Sequence, residues 1–314
     1  MSNPDVLKQE QAALAVSKWG NLLMGAAGVL AAWLSNSQAI LVDGLFSLIG
    51  FVAAILGARV ASQAMRGPDR QRPLGYAIDE SLFVTFRALS LLGLVAFAFC
   101  SAVLNISTFA AGGAIAELRY GPIIVYFIFI CTVCAVLALN HRVAWVRTGK
   151  QSDVLRLEMR AAILDGIITV AAGIGLSIMP FLKGSPLGWL SPIGDSVVVI
   201  ALCLLVVGRY YRDFVTGLGE LAGVSARPEL VACARRSIRP IIAEAGGRLI
   251  DFSVLKVGRR LEAQIYYDPG RAITAHEVDV LTKRIDDALA ESIARAGAVV
   301  IISRHGRVLS KDDM

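Results

Sequence analysis

Long apolar blocks run through the first two thirds of this sequence. Hydrophobic residues make up 56% of the 314 residues and the mean hydropathy is +0.64, whereas soluble domains are about 45–50% apolar. A bilayer core of about 30 Å is crossed by about 20 consecutive apolar helical residues. Blocks of that length lie near 14–35, 38–62, 82–107, 121–145, 155–179 and 187–208. The sequence therefore predicts an integral membrane protein with six spanning helices.

Basic residues between the blocks predict the orientation of the chain in the membrane. The connection 63–81 and the region after the fourth block are rich in Arg and Lys, whereas 108–120 and 180–186 carry one basic residue each. Positively charged connections stay in the cytoplasm, so both termini are predicted to be cytoplasmic. The first block lacks a following Ala-x-Ala cleavage pattern, and we expect it to be a true span and not a signal peptide.

The last hundred residues have a different, mixed pattern. Two amphipathic helices and three alternating or apolar strands are predicted in the order α-β-β-α-β, at about 227–244, 249–256, 261–267, 274–294 and 298–303. This order predicts a small α+β domain with both helices on one face of a sheet. The predicted domains are thus a transmembrane domain, 1–211, and a cytoplasmic domain, 212–314.

Several other classes of function are disfavoured by the composition. The net charge is +6, but the basic residues flank apolar blocks and do not form a stripe with interleaved aromatic residues, so no nucleic-acid partner is expected. The pair Cys131-x-x-Cys134 has metal-like spacing, yet it lies inside an apolar helix, where packing is the expected role. No nucleophile–base pair or cofactor motif indicates an enzyme, and no cofactor is expected.

Two short carboxylates lie inside predicted spans. Asp43 lies in the second block and Asp165 near the middle of the fifth. A charge at this depth costs about 2.5–3.5 kcal/mol and is a functional candidate by default. Ser47 lies one turn beyond Asp43, while Glu158 and Thr169 share a helix face with Asp165. The two polar faces predict one cation site, and structural hydrogen bonds between helices are the alternative.

A third carboxylate, Asp195, lies nearer the outer end of the sixth block. Its sequence environment leaves a structural role and a ligand role equally open.

These residues carry a resemblance to the cation diffusion facilitator family. The segment 37–48, Ser-Gln-Ala-Ile-Leu-Val-Asp-Gly-Leu-Phe-Ser-Leu, resembles the signature of the family's second helix. The segment 68–76 resembles the loop before the third helix, and 158–166 resembles the fifth helix of a bacterial branch predicted to move cobalt, zinc or cadmium. The α-β-β-α-β tail is similar to the family's ferredoxin-like cytoplasmic dimerisation domain. The resemblance covers nearly the whole chain.

The sequence departs from the family at its usual ligands. Well-known members carry two acidic or histidine positions one turn apart on helix two and a similar pair on helix five. The matching positions here are Phe46 and Gly50 on helix two, and Ala161 and Asp165 on helix five. Only Asp165 can ligate a metal, so the usual four-ligand site is not expected.

The resemblance implies a proton-coupled exporter of divalent cations that works as a homodimer in a bacterial inner membrane. The expected metal ligands are Asp43, Asp165 and Ser47, with Glu158 as a ligand at the cytoplasmic entry. Oxygen ligands favour manganese or iron(II), whereas the family branch implies cobalt, zinc or cadmium. The alternative is a membrane scaffold or sensor of the same fold that no longer transports.

Overall fold

The computed structural model describes residues 4–64, 69–72, 75–115, 117–147, 153–184, 188–258, 260–293 and 296–307. Six helices come first: α1 Pro4–Ser35, α2 Gln38–Ala64, α3 Ala77–Ala110, α4 Tyr120–Arg147, α5 Asp153–Ile178 and α6 Gly194–Leu221. The remainder forms α7 Pro228–Glu244, β1 Arg248–Val257, β2 Arg260–Asp268, α8 Ala275–Ser292 and β3 Ala296–Ile302.

Five of these helices are long and apolar enough to cross a bilayer, counted over the described residues: α1, α2, α3, α4 and α6. The sixth apolar stretch is shorter and runs from Asp165 in α5 to Phe181, just past the end of that helix. The first half of this helix carries Arg156, Glu158 and Arg160, and these charged residues lower its mean hydropathy. The chain is thus a membrane protein, while the prediction of six spans depends on α5 and stays a prediction.

Three helices differ from their predicted bounds by five residues or more. Helix α1 begins at Pro4 and not near residue 14, and helix α6 ends at Leu221 and not near residue 208. Helix α3 begins at Ala77 and not near residue 82, with Asp79 and Glu80 in its first turn. Acidic side chains are favourable at that end of a helix because they complement its dipole. Helix α6 begins only at Gly194, after a short 3-10 turn at Gly188–Leu190, because Pro192 interrupts the regular hydrogen bonds before it.

The chain divides into two compact units. The first comprises Met1–Leu56 and Arg87–Arg212, and the second comprises Gly57–Phe86 and Asp213–Met314. The second unit therefore includes more than the predicted cytoplasmic domain, whose boundary near residue 211 stays a prediction.

A tight hairpin joins α1 to α2 in the first unit. Its turn residue Asn36 has a φ of 57°, a left-handed conformation that Asn tolerates better than most residues. The two helices then cross at Gly28 and Gly44, where a Cβ built on Gly28 would lie 2.5 Å from the Gly44 Cα. Only glycine permits this approach, and it fixes the position of Asp43, the residue next to Gly44.

The second unit contains a three-stranded sheet in the order β1-β2-β3. Strand β1 is antiparallel to β2, with Val254 opposite Ala263, and β2 is parallel to β3, with Ile265 opposite Val300. A parallel pair needs a long crossover, which α8 supplies.

The core of this sheet lies on one face. Buried residues of α7 and α8, such as Ile238 and Ile285, pack with Val254, Ala263 and Ile265 of the strands. The predicted element order and the placement of both helices on one face are confirmed. Ferredoxin-like topology and dimerisation stay predictions.

Candidate cation site

Asp43 is the sixth residue of α2 and is half-buried in the first unit. The hydroxyl of Tyr126, on α4, donates a hydrogen bond of 2.6 Å to its Oδ2. Tyr126 is itself only 3% exposed. A buried tyrosine hydroxyl needs a polar partner, and this contact holds the Asp43 carboxylate in one orientation between two helices.

A small cavity lies beside Asp43. Its lining comes from four helices, α2, α4, α5 and α6, and consists of Ala39, Ile40, Asp43, Phe127, Ile168, Thr169, Ala172 and Leu202. The space that the centre of a water molecule could occupy in it is about 10 Å³. This is near the minimum for one water molecule. Asp43 and Thr169 supply its polar groups, so one residue from each of the two predicted polar faces lines this cavity.

The other predicted ligands take different positions. Asp165 lies one turn from Thr169 along α5, and its side chain is exposed at the surface of the first unit. Ser47 is half-buried one turn from Asp43 on α2 and does not contribute to the lining of this cavity. The backbone of Glu158 belongs to α5, but its side chain lies outside the described part of the structure. The assignment of these four residues as ligands stays a prediction.

The positions where the family usually carries ligands are filled by packing. Phe46 stacks on Tyr210 of α6, with ring centroids 5.8 Å apart. Gly50 faces the side-chain amide of Asn21 on α1, 3.4 Å from an idealised Cβ. The side chain of Ala161 is not among those described. Across the described residues, no three His, Cys, Asp or Glu side chains are close enough to hold a metal ion together.

Asp195 has a structural role. Its Oδ1 accepts a hydrogen bond of 2.6 Å from the Ser37 hydroxyl, and its Oδ2 accepts one of 2.7 Å from the Gln38 amide. The Ala39 amide is 3.3 Å from Oδ1. These amides belong to the first turn of α2, which has no helical partners for them. A carboxylate from α6 therefore caps α2 and complements its dipole.

Sequence reasoning missed two buried polar contacts. One is the Tyr126 hydroxyl, which the sequence places in an apolar block without any motif around it. The other joins Ser17 Oγ of α1 and His141 Nε2 of α4 at 2.7 Å. His141 is fully buried, although the sequence places it near the end of a predicted span. Only the register of α1 against α4 brings these two residues together.

Comparison with known proteins identifies the transmembrane part. Residues 14–222, two thirds of the chain, match the model of the cation efflux transmembrane domain. The chain belongs to the cation efflux family. An uncharacterized transporter of Methanocaldococcus jannaschii is 23% identical over 299 residues, which cover 92% of this chain and 97% of that protein.

Membership of the cation efflux family confirms the resemblance to this family, while the bacterial branch and the metal stay predictions. The family consists of membrane transporters of cations and is not a family of enzymes. The chain is therefore a cation transporter, and the scaffold or sensor alternative is not favoured.

Proposed function

We propose that this cation efflux protein exports a divalent metal cation from the cytoplasm in exchange for protons, and that Asp43 and Asp165 are the groups that carry the exchange. The observation that supports this proposal best is the Asp43 carboxylate, held by Tyr126 beside a cavity lined by α2, α4, α5 and α6. A protein of this fold that had lost transport would be expected to lose this carboxylate early, because a charge inside a span costs free energy.

Exchange follows from the chemistry of a carboxylate in a membrane. Either a proton or a metal cation stabilises such a group when water is scarce. One carboxylate can therefore hold the two in turn, and rocking of helices around the site would present it to each side of the membrane. The oxygens of Asp43 and Thr169 are available at the cavity, and Asp165 lies one turn, about 6 Å, along α5 from Thr169.

Glu158 is proposed as a ligand at the cytoplasmic entry. Helices α4 and α5 are antiparallel, since Gly173 packs on Phe127 and Gly166 on Cys134. This register, continued along both helices, places the backbone of Glu158 near the level of His141. We further propose that the protein works as a homodimer in a bacterial inner membrane, as the family resemblance implies. Both termini would lie in the cytoplasm, as the basic connections indicate.

Metal uptake by inside-out or reconstituted vesicles tests the proposal. A panel of cations is assayed with and without a pH gradient, which should drive uptake of the substrate cation. Asp43→Ala and Asp165→Ala should each abolish uptake while the protein still inserts, and Glu158→Ala should reduce it less. Asp213→Asn, an exposed carboxylate of α6, is the matched control and should transport normally. Flux at the wild-type rate in Asp43→Ala would refute the proposed site.

A further inference from the structure

A groove lies between α1 and α4 in the first unit, away from the cavity at Asp43. Among the described residues, its apolar lining consists of Ala12, Ala13 and Val16 of α1 and Val143 and Ala144 of α4, and its polar lining of Asn140 and Arg147. The space that the centre of a water molecule could occupy in it is about 170 Å³, whereas one water molecule needs about 10–15 Å³. We propose that this groove binds an anionic phospholipid, with the headgroup at Arg147 and an acyl chain along the apolar lining.

The register of α1 against α4 creates this groove. Ser17 Oγ and His141 Nε2 are 2.7 Å apart, so the two helices are in direct contact at this level. Toward the start of α1, the facing side chains are those of Ala12 and Ala13, which are too short to fill the space between the helices. The groove therefore begins beside the Ser17–His141 contact and continues toward Arg147, the last residue of α4.

Much of the apolar lining is exposed at the side of the helices. Val16 is 41% exposed and Val143 is 47% exposed, and Ala12 is exposed as well. Both helices are long and apolar enough to cross a bilayer, and the exposed apolar side of a spanning helix contacts lipid chains. An acyl chain therefore has direct access to the groove, whereas a water-soluble ligand would have to leave water to enter it.

Two polar side chains of α4 in this groove have no partner in the part of the chain that the structure describes. Asn140 and Arg147 are exposed, and neither forms a hydrogen bond or an ion pair with a described residue. They share one face of α4 and lie about 10 Å apart along its axis. Guanidinium groups bind phosphate through paired hydrogen bonds, and an amide in apolar surroundings costs free energy unless it is hydrogen-bonded. A phosphate at Arg147 and an ester carbonyl at Asn140 would satisfy both groups.

The charge of Arg147 favours an anionic lipid over a zwitterionic one. A zwitterionic headgroup carries its own ammonium group beside the phosphate, so it gains less from an unpaired arginine. Basic pockets between spanning helices on the cytoplasmic side bind anionic headgroups, and Arg147 lies at the predicted cytoplasmic end of α4. Arginines at a membrane surface also attract lipid without any groove. Arg142 separates the two effects, because it is exposed on the same helix but does not line the groove.

Lipid binding to the purified full-length protein tests the groove. Native mass spectra are recorded while phosphatidylglycerol, or phosphatidylcholine with the same acyl chains, is added. The wild type should retain phosphatidylglycerol in preference to phosphatidylcholine. Arg147→Gln should lower the affinity for phosphatidylglycerol about fivefold, and Ala12→Phe, which fills the groove, should lower it as well. The matched controls are Arg142→Gln and Leu14→Phe, an exposed position of α1 outside the lining, and both should bind like the wild type.

The outcomes separate binding in the groove from a general attraction of lipid. Equal losses in Arg147→Gln and Arg142→Gln would overturn the proposal, because basic charge anywhere on α4 would then explain the binding. Equal retention of the two lipids would refute the anionic headgroup. Unchanged binding in Ala12→Phe would also refute the groove, and a smaller dimer fraction in that variant would assign it to a second copy of the chain. Arg147→Gln alters only an exposed side chain, so it still decides the question if Ala12→Phe does not fold.

Discussion

The Tyr126 hydroxyl donates a hydrogen bond of 2.6 Å to Asp43 Oδ2, and this contact ties α4 to α2 beside the cavity. It occupies one carboxylate oxygen and restricts the rotation of the group. A transporter needs a ligand that is oriented before the cation arrives, because orienting it during binding costs free energy. Tyr126 is thus a positioning residue for the proposed ligand.

Tyr126→Phe should raise the KM for the transported cation about tenfold, since a hydrogen bond to a charged group contributes about 1.5–3 kcal/mol. The maximal rate should change less than the KM. Tyr211→Phe, which removes an exposed hydroxyl from α6, should leave both unchanged. Vesicle flux over a range of cation concentrations measures the effect, and an unaltered KM together with an unaltered pH profile would show that the hydroxyl is dispensable.

Gly28→Ala should destabilise the first unit by about 1–3 kcal/mol, because the backbones of α1 and α2 leave no room for an added methyl group. The added methyl group would meet the Gly44 backbone of α2 and push Asp43 away from the cavity, so transport should fall as well. Gly93→Ala on α3, where a Cβ meets nothing within 4 Å, should be neutral or slightly stabilising. Thermal unfolding of the purified variants measures both, and equal melting temperatures would contradict the close crossing.

Asp195→Ala should destabilise the protein by about 1–3 kcal/mol, because the Ser37 hydroxyl and the Gln38 amide would lose their buried acceptor. The first turn of α2 should then open more often. Hydrogen exchange at the amides of Gln38 and Ala39 should become faster, while exchange in α4 stays unchanged. Normal protection of α2 in this variant would mean that another group caps the helix.

Much of the architecture follows from local pattern. Apolar blocks of bilayer length predict where most spans lie, and the alternation in the tail predicts its strands, because burial on one face imposes a period on the sequence. Helix α5 is the exception. Its charged first half shortens the apolar stretch, and hydropathy alone does not decide whether it spans the membrane.

The candidate site was only partly predictable. Asp43 stands out because a carboxylate in a span is costly. Helix periodicity puts Thr169 on one face with Asp165, but only Thr169 of the two lines the cavity beside Asp43, and the shared site stays a prediction. The contact with Tyr126 has no signal in the sequence, because it arises from the register between helices. The interpretation of Cys134 as a packing residue agrees with its place in the apolar core of the first unit.

Asp251 and Arg307 form an ion pair in the second unit, called the clamp below. It should keep the segment around Arg307 packed against β1 over a wide pH range. Arg307 donates to both carboxylate oxygens, at 2.8 and 3.1 Å, and these hydrogen bonds lower the pKa of Asp251 to about 2. Since the usual value is about 3.9, the stabilisation is complete above about pH 4 and is lost as the pH falls through about 2.

Protection of the Arg307 amide, which donates to Asp251 Oδ2 at 3.1 Å, should therefore be the same from about pH 5 to pH 8. Asp251→Asn should reduce that protection throughout this range, and Asp287→Asn on the exposed face of α8 should not. Hydrogen exchange with mass spectrometry measures both. Loss of protection between about pH 5 and pH 8 in the wild type would show that a different group controls the clamp.

Glu220 should couple energetically to Lys256, because the two form an ion pair within a larger network of the second unit. Glu220 at the end of α6 accepts hydrogen bonds from Lys256 at 2.6 Å and from the buried Ser81 hydroxyl of α3 at 2.7 Å. Ser81 in turn accepts one of 2.8 Å from the amide of Gly258, in the β1–β2 turn. Glu220 is mostly buried, with 14% of its side chain exposed, whereas 44% of Lys256 is exposed.

A double-mutant cycle of Glu220→Gln and Lys256→Gln should give a coupling energy of about 0.5–1.5 kcal/mol, measured by unfolding of the protein. This is less than a fully buried ion pair would give, because Lys256 is partly exposed to solvent. The pair Arg271–Glu277, with 60% and 40% exposed side chains, is the control and should give less than about 0.5 kcal/mol. Ser81→Ala should cost about 1–3 kcal/mol, since it removes the acceptor of the Gly258 amide and a donor to Glu220. Equal coupling energies in the two pairs would mean that neither the burial of Glu220 nor its hydrogen bond from Ser81 strengthens the ion pair with Lys256. The contact between α6 and the β1–β2 turn would then be no stronger than a surface ion pair.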